Sequence, residues 1–237
     1  MHPLQQALRS VASPKYASTA KSFFKTGKGE YSEGDVFLGL TVPQTRAIVK
    51  QFSHLTLQEL HPILNSEIHE ERLAALLILV HQFDKNPEQR KELFDFYLKN
   101  TKAVNNWDLV DLSAYQIVGR FIFQEGKSQP ALISLLTRLA ESQSIWERRI
   151  AIVSTYYFIK NNRFDETLHI AELLLNDTHD LIHKACGWML REVGKRNEAV
   201  LKHFLNKHYP QMPRTMLRYA IERFPEQERK AYLQDKI

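Results

Sequence analysis

The sequence predicts an all-α chain whose helices stack as repeats. Three observations predict it. Apolar residues recur at helical spacing along most of the 237 residues. Only 8 Gly and 9 Pro punctuate that length, fewer turn residues than an all-β fold needs. Several helical segments also share one internal pattern: a polar start, an Arg or Lys, then an apolar block.

The elements follow in order. Asp35–Leu40, DVFLGL, is the nearest approach to a strand. It is short and lies between Gly34 and Pro43, so it reads as a loop or the approach to a helix. Pro43 opens a helix through Gln51. Glu70–Phe83 sets Leu73, Leu76, Leu77 and Val80 on one stripe. Asn105–Gly119 buries Leu109, Val110, Leu112, Ile117 and Val118. Ile145–Ile159 aligns Ile145, Ile152 and Tyr156, and Asp180–Gly194 follows suit. Met212–Phe224 carries Pro213 near its first turn, where proline is tolerated.

These segments overlay one another. Glu71-Arg72-Leu73-Ala74-Ala75 lies over Arg148-Arg149-Ile150-Ala151-Ile152 and over His183-Lys184-Ala185-Cys186-Gly187, with Asn106–Val110 in a similar slot. The spacing of roughly 30 to 45 residues is that of two-helix repeats such as HEAT and armadillo. The expectation is one continuous domain over 1–237, a curved helical-repeat solenoid. Arg72, Arg148, Arg149, Lys184, Arg214 and Arg218 would then share its concave face. Two readings of that set stand: a basic groove for a phosphate backbone, or solvated helix starts paired to nearby Glu.

Composition bounds the function classes. A hydrophobic share of 43% supports a sizeable core, and 25% charge is ordinary for a globular chain. The single cysteine, Cys186, excludes an intramolecular disulfide and favours a reducing compartment. MHPLQQALRS lacks the apolar core of a signal peptide, and the run Leu73–Val80 is too short for a bilayer. The expectation is a cytoplasmic monomer with no membrane contact. A net charge of +5 favours an acidic partner only mildly.

The segment NNWDLVDLSAYQIVG carries the most unusual chemistry. Trp107 and Asp111 are four apart and share a helix face. Asp111 is bordered by apolar residues, as a working carboxylate often is. Alternatively Asp108 or Asp111 caps a helix or pairs with Arg120, and Trp107 is core. Trp188 sits in a comparable helix, with Gly187 beside it leaving room for an approaching group. Trp146 reads as packing at a helix start. His179 and His183 have i,i+4 spacing, but HDLIH lacks the glutamate of a metalloprotease motif and a third ligand, so no metal site is expected. Cys186 reads as a buried structural thiol. Gly27, Gly29 and Gly34 are spaced too widely for a phosphate loop. No cofactor is expected.

Four segments together carry a family resemblance: Asp35–Leu40 with Pro43, Asn106–Asp111, Ile145–Arg149 and Ala185–Glu192. In that order and at those distances the chain resembles the AlkD-type DNA alkylation repair glycosylases, which are built from HEAT-like repeats. The resemblance covers nearly the whole length. It implies that Asp111 is the catalytic aspartate, that Trp107 and Trp188 are pocket tryptophans, and that Arg149, rather than Arg148, is the pocket-side arginine. Arg148, Lys184, Arg214 and Arg218 would be further DNA contacts. One departure lies near the N-terminus: Phe23 and Phe24 stand where a lesion-proximal tyrosine is expected.

The implied substrate is double-stranded DNA bearing alkylated bases, such as 3-methyladenine or 7-methylguanine. Such a base is already cationic, so its departure needs no general acid. Positive charge then moves to the sugar, where a fixed carboxylate stabilises it and orients water. Indole faces attract cations, each contact contributing about 0.5–2 kcal/mol. The sequence shows no helix-hairpin-helix with a lysine nucleophile, which disfavours a lyase. A non-catalytic module that binds DNA or protein remains the main alternative, and an enzyme for bulkier adducts or branched DNA a third.

Overall fold

The computed structural model describes residues 1–234. Its regular structure is helical; the described residues hold one isolated bridge, Val36 to Ile68, and no strand. This is the all-α helical-repeat class. The chain divides into two compact units, Met1–Ser113 and Ala114–Ile237. Among the described residues, no helix is long and apolar enough to cross a membrane.

The first unit contains α1 (Pro3–Ser10), α2 (Pro14–Phe23), α3 (Val42–Val49), α4 (Leu57–Leu64), α5 (His69–Lys85) and α6 (Arg90–Lys99). It also holds all but the last residue of α7 (Trp107–Ala114). Reciprocal capping starts three of these helices: His2 with Gln5, Thr41 with Gln44, and Thr56 with Glu59. Each pair satisfies two otherwise orphaned N–H groups. Helix α5 is the centre, with α3 and α4 packed on it. All of Leu73–Leu79 is buried, so the single stripe read from the sequence is in fact buried all round. Each fully buried Leu or Ile contributes on the order of 1.5–3 kcal/mol.

Residues 35–40 form a loop, and the following helix begins at Val42 and ends in a 3-10 turn, Lys50–Phe52. The loop is held from below by α5. The Glu70 carboxylate accepts the N–H groups of Leu38, Gly39 and Leu40 at 2.9, 2.8 and 3.2 Å. Gly39 has φ +85°, and a Cβ there would fall 2.2 Å from the Ser13 carbonyl oxygen. Helix α2 therefore meets this loop backbone to backbone, and Ser13 donates its N–H to Leu38 at 2.8 Å.

The second unit opens on a π turn, Tyr115–Gly119. Helices α8 (Arg120–Glu125), α9 (Pro130–Ala140), α10 (Ile145–Ser154), α11 (Tyr156–Lys160) and α12 (Asp165–Leu173) follow. They lead to α13 (Asp180–Gly194), α14 (Glu198–His208), α15 (Arg214–Ala220) and α16 (Glu226–Leu233). Helix α9 packs on α10, α10 on α13, and α13 on α14 and α15.

Two helices differ from expectation. The segment 145–159 breaks at Thr155, whose hydroxyl bonds the Ile152 carbonyl at 2.7 Å. The segment 212–224 is helical only from Arg214 to Ala220, with Pro213 as its N-cap. Glycines set the closest contacts. A Cβ on Gly119 would lie 2.1 Å from the Ser154 carbonyl oxygen. A Cβ on Gly187 would lie 2.4 Å from Tyr219 Cβ and 2.5 Å from the Met216 carbonyl oxygen. The room expected beside Trp188 at Gly187 is thus filled by α15. Trp146 and Cys186 are buried, and burial pushes the thiol pKa up.

The repeat is visible in its hydrogen bonds. Ser66 Oγ accepts from Ile68 N–H at 3.1 Å and donates to Glu71 at 2.7 Å, while Arg72 donates to the Ser66 carbonyl at 2.9 Å. Ser142 does the same with Ser144, Glu147 and Arg148 at 3.1, 2.5 and 3.0 Å. In a third copy Asp177 replaces the serine, accepting from His179 N–H at 2.8 Å, with its carbonyl 2.5 Å from His183 Nε2. Arg72 therefore corresponds to Arg148 and His183, one position off the sequence overlay. The overlay slid because adjacent arginines at 148 and 149 satisfy the same pattern. Arg72 is 3% exposed and paired to Asp35, so it faces inward and not onto an open basic surface.

Candidate functional site

In the first unit the site grows from the start of α7. Asn106 is fully buried. Its Oδ1 accepts the Trp107 N–H at 2.8 Å, and its Nδ2 donates to Ser32 Oγ at 2.7 Å and Asp35 at 3.3 Å. Next along, Asp108 meets His69 Nε2 at 2.9 Å, and Asp35 meets His69 Nδ1 at 3.2 Å. Arg72 closes the network on Asp35. Of the partners foreseen for Asp108, the structure supplies neither a cap nor Arg120 but the imidazole of His69.

Burial pushes the His69 pKa down, but the hydrogen bonds it donates to Asp108 and Asp35 overcome it and raise the value to about 9. His69 is therefore a buried imidazolium at neutral pH. Asp35 is pushed up by burial, yet the His69 hydrogen bond and the Arg72 charge win and hold it below the usual carboxylate range.

Aromatic rings continue from this ion. His69 stacks on Phe37 with centroids 4.6 Å apart, Phe37 on Phe24 at 5.0 Å, and Phe24 on Trp107 at 5.4 Å. Phe23 meets Trp107 edge-on at 5.9 Å. Such pairs contribute about 0.5–1.5 kcal/mol each beyond area burial. Trp107 is half-buried rather than core, and Asp111 is half-buried one turn on along the same helix face. Tyr97 on α6 bonds Ser113 on α7 at 2.9 Å, pinning this helix. Burial raises the Tyr97 phenol, the Ser113 bond opposes, and the Asp111 charge adds to the rise.

The second unit holds the other residues singled out from the sequence. Trp188 is half-buried on α13, its ring 6.0 Å from Tyr156 and tilted by 37°. Tyr115 lies edge-on to Tyr156 at 5.3 Å. The Arg196 guanidinium sits 5.9 Å from the Tyr156 ring, and Lys160 Nζ 5.9 Å from that of Tyr115. Arg149 is 5% exposed and donates from Nη1 to the Leu181 carbonyl at 2.5 Å. Arg148 pairs with Asp177 at 2.6 Å, and Lys184 with Asp180 at 2.7 Å. Arg214 and Arg218 are exposed, Arg214 donating to the Leu233 carbonyl at 2.7 Å. His179 caps α13 at Leu181 N–H. Among the described residues, no group of three or more His, Cys, Asp or Glu is arranged to hold a metal ion.

Sequence reasoning missed His69, Phe37 and Tyr156. One signal for His69 was available. Its helix opens HEER, four consecutive titratable residues ahead of an apolar run. Charges that cannot reach water there need partners brought from elsewhere in the chain.

Comparison with known proteins gives two findings. The family model described as DNA alkylation repair enzyme matches residues 4–224. Among solved structures, a predicted DNA alkylation repair enzyme from Enterococcus faecalis is similar, with a TM-score of 0.72 and 18% identity. That match covers 91% of this chain and 97% of the other. At that identity the likeness speaks for the fold. No curated protein matches the chain.

Proposed function

This chain belongs to the DNA alkylation repair enzyme family, and from that premise we propose that it is a monofunctional glycosylase for cationic alkylpurines in duplex DNA. The observation that carries the reading is the start of α7: a half-buried indole, Trp107, with the half-buried carboxylate of Asp111 one turn along the same face. A half-exposed tryptophan held by stacking on Phe24 offers its remaining surface to a ligand.

The bond between C1′ and the base nitrogen breaks with both electrons going to the base, which leaves neutral. The sugar becomes an oxocarbenium ion, and Asp111 stabilises it electrostatically. Water adds to C1′, and Asp111 accepts its proton. Trp107 and Trp188 contribute electron-rich faces toward the cationic nucleotide. Arg149, which donates to the Leu181 carbonyl, anchors a phosphate in this reading by a charge-assisted hydrogen bond. Arg148 and Lys184 reach phosphate by exchanging their carboxylate partners, Arg214 and Arg218 directly from the surface. The protein acts as a cytoplasmic monomer.

The test is release of 3-methyladenine and 7-methylguanine from methylated duplex. Asp111→Asn is expected to slow release by roughly 100-fold or more while duplex binding persists. Release at the parent rate would remove Asp111 from the chemistry. A parent chain that binds duplex but releases no base would instead be a binding module. In the same assay Arg149→Gln should weaken duplex binding and flatten its salt dependence by about one unit of slope; an unchanged slope would end the phosphate-anchor role.

A further inference from the structure

Trp107 is held from two directions, and both lead to His69. One is its backbone. Trp107 opens α7, and Asp108, the next residue along, accepts at Oδ2 from His69 Nε2 at 2.9 Å. The other oxygen of that carboxylate, Oδ1, is buried and has no hydrogen-bond partner among the described residues. Asn106, on the other side of Trp107, reaches the same imidazole through Asp35 Oδ2. That oxygen accepts from Asn106 at 3.3 Å and from His69 Nδ1 at 3.2 Å. The second direction is the ring. The indole stacks on Phe24 and Phe24 on Phe37. Both phenyl rings also lie against the imidazole, at 5.0 and 4.6 Å.

These links demand one protonation state. His69 meets a carboxylate at each ring nitrogen, and a carboxylate only accepts. Two donors are needed, and only the imidazolium has two. The neutral ring turns a lone pair on one of the carboxylates, and at 3% exposure its side chain has no water to make up the loss. Loss of the proton at Nε2 leaves Asp108 and the first turn of α7 unheld. Loss at Nδ1 sets the ring against Asp35, on the loop that carries Phe37. Either displacement reaches Trp107. The charged groups facing the ring are Asp35 from the loop, Asp108 from α7 and Arg72 from its own helix. Glu70 and Glu71 beside it are turned to the loop N–H groups and to Arg9. From the end of α2 the contact is the Phe24 ring.

We propose that His69 is a positioning residue for base release: as the imidazolium it fixes Trp107 and the α7 face bearing Asp111, and its deprotonation disables that face. The proposal rests on the glycosylase reading given above. It adds to that reading a proton that must be present but takes no part in the chemistry. A cationic base leaves without a general acid, so a basic limb in the release rate has no catalytic acid to account for it. Lysine and tyrosine ordinarily titrate at about 10 or above, whereas His69 loses its proton at about 9.

The experiment follows release of 3-methyladenine from methylated duplex in single turnovers at saturating enzyme, from about pH 7 to about pH 10. Enzyme-free release is subtracted, and circular dichroism confirms the fold at each pH. The parent rate is expected to be roughly tenfold lower at about pH 10 than on its plateau. His69→Gln has no proton to lose and should lack this limb, on a lower plateau. Asp108→Asn keeps the imidazole but removes a charge that holds its proton, so the limb should move down by about 1–3 pH units. A purely structural imidazole would change the amount of folded protein and leave the rate per folded molecule level with pH. No limb in the parent, or the same limb in all three chains, overturns the inference and leaves the glycosylase reading standing. A second readout is independent of release. In protein labelled with 5-fluorotryptophan, the fluorine resonance lost in Trp107→Phe identifies Trp107. It should shift through about pH 9 in the parent and stay fixed in His69→Gln. A Trp107 resonance that ignores the imidazole overturns the inference. A parent chain that releases no base removes the glycosylase reading, and the Trp107 resonance then decides the positioning role by itself.

Discussion

At the scale of single residues the decisive group is His69. Its folded pKa of about 9 stands above the ordinary value of 6.5. Protonation is therefore favoured by folding, and the stabilisation is fully present below pH 6.5. It is lost as pH rises through about 9, a change on the order of 3 kcal/mol. The urea midpoint should fall across that window. In His69→Gln, where nothing titrates, it should stay flat there at a lower overall stability. A parent midpoint flat between pH 6.5 and 9 would mean that the imidazole is neutral. Asp35 has the opposite sign: its pKa is depressed, so its contribution is lost only as pH falls below the usual carboxylate range. Removing the imidazole altogether, as in His69→Ala, leaves Asp35 and Asp108 with one buried cation, Arg72, between them. Breaking a buried pair in that way costs about 3–5 kcal/mol.

At the scale of elements, helix α2 depends on one missing methyl group. Gly39→Ala places a Cβ on the Ser13 carbonyl and imposes a positive φ on an L side chain. Because the obstacle is backbone, relief requires α2 to move. The expected cost is about 2 kcal/mol or more, with trypsin cutting after Lys15 and Lys21 faster than in the parent. Parent-like proteolysis would show that α2 is held by something else. Much at this scale was legible beforehand. Asp180–Gly194 was read to the residue, and α5 within two residues, because long periodic runs leave little choice. The break at Thr155 was not, since a side-chain hydroxyl bonding its own helix leaves no trace in periodicity. The Gly187 contact was misread for a related reason: a glycine signals close approach without naming the approaching partner.

For the whole molecule, the repeat predicts additivity. Ser66 and Ser142 perform the same task in different units and share no hydrogen-bond partner. Ser66→Ala and Ser142→Ala should each cost about 1 kcal/mol, and the double variant should equal their sum within about 0.5 kcal/mol. A larger departure, measured by urea unfolding, would mean that the two sites communicate. Whole-chain pattern also explains why the candidate site was only half legible. Trp107 and Asp111 are neighbours on one helix, so spacing exposed them. The cluster that holds them joins Ser32, Asp35, His69, Arg72, Asn106 and Asp108, which meet only through the stacking of repeats.

Cys186, the chain's one thiol, is fully buried on α13 with its pKa pushed up. Electrophiles that alkylate nucleobases also attack thiolates. In the folded protein this sulfur is neither ionised at neutral pH nor reachable, so the thiol is shielded from the chemistry that creates the proposed substrate. The same placement turns Cys186 into a clock for opening. Each labelling event by a thiol reagent counts an excursion that exposes the core of the second unit.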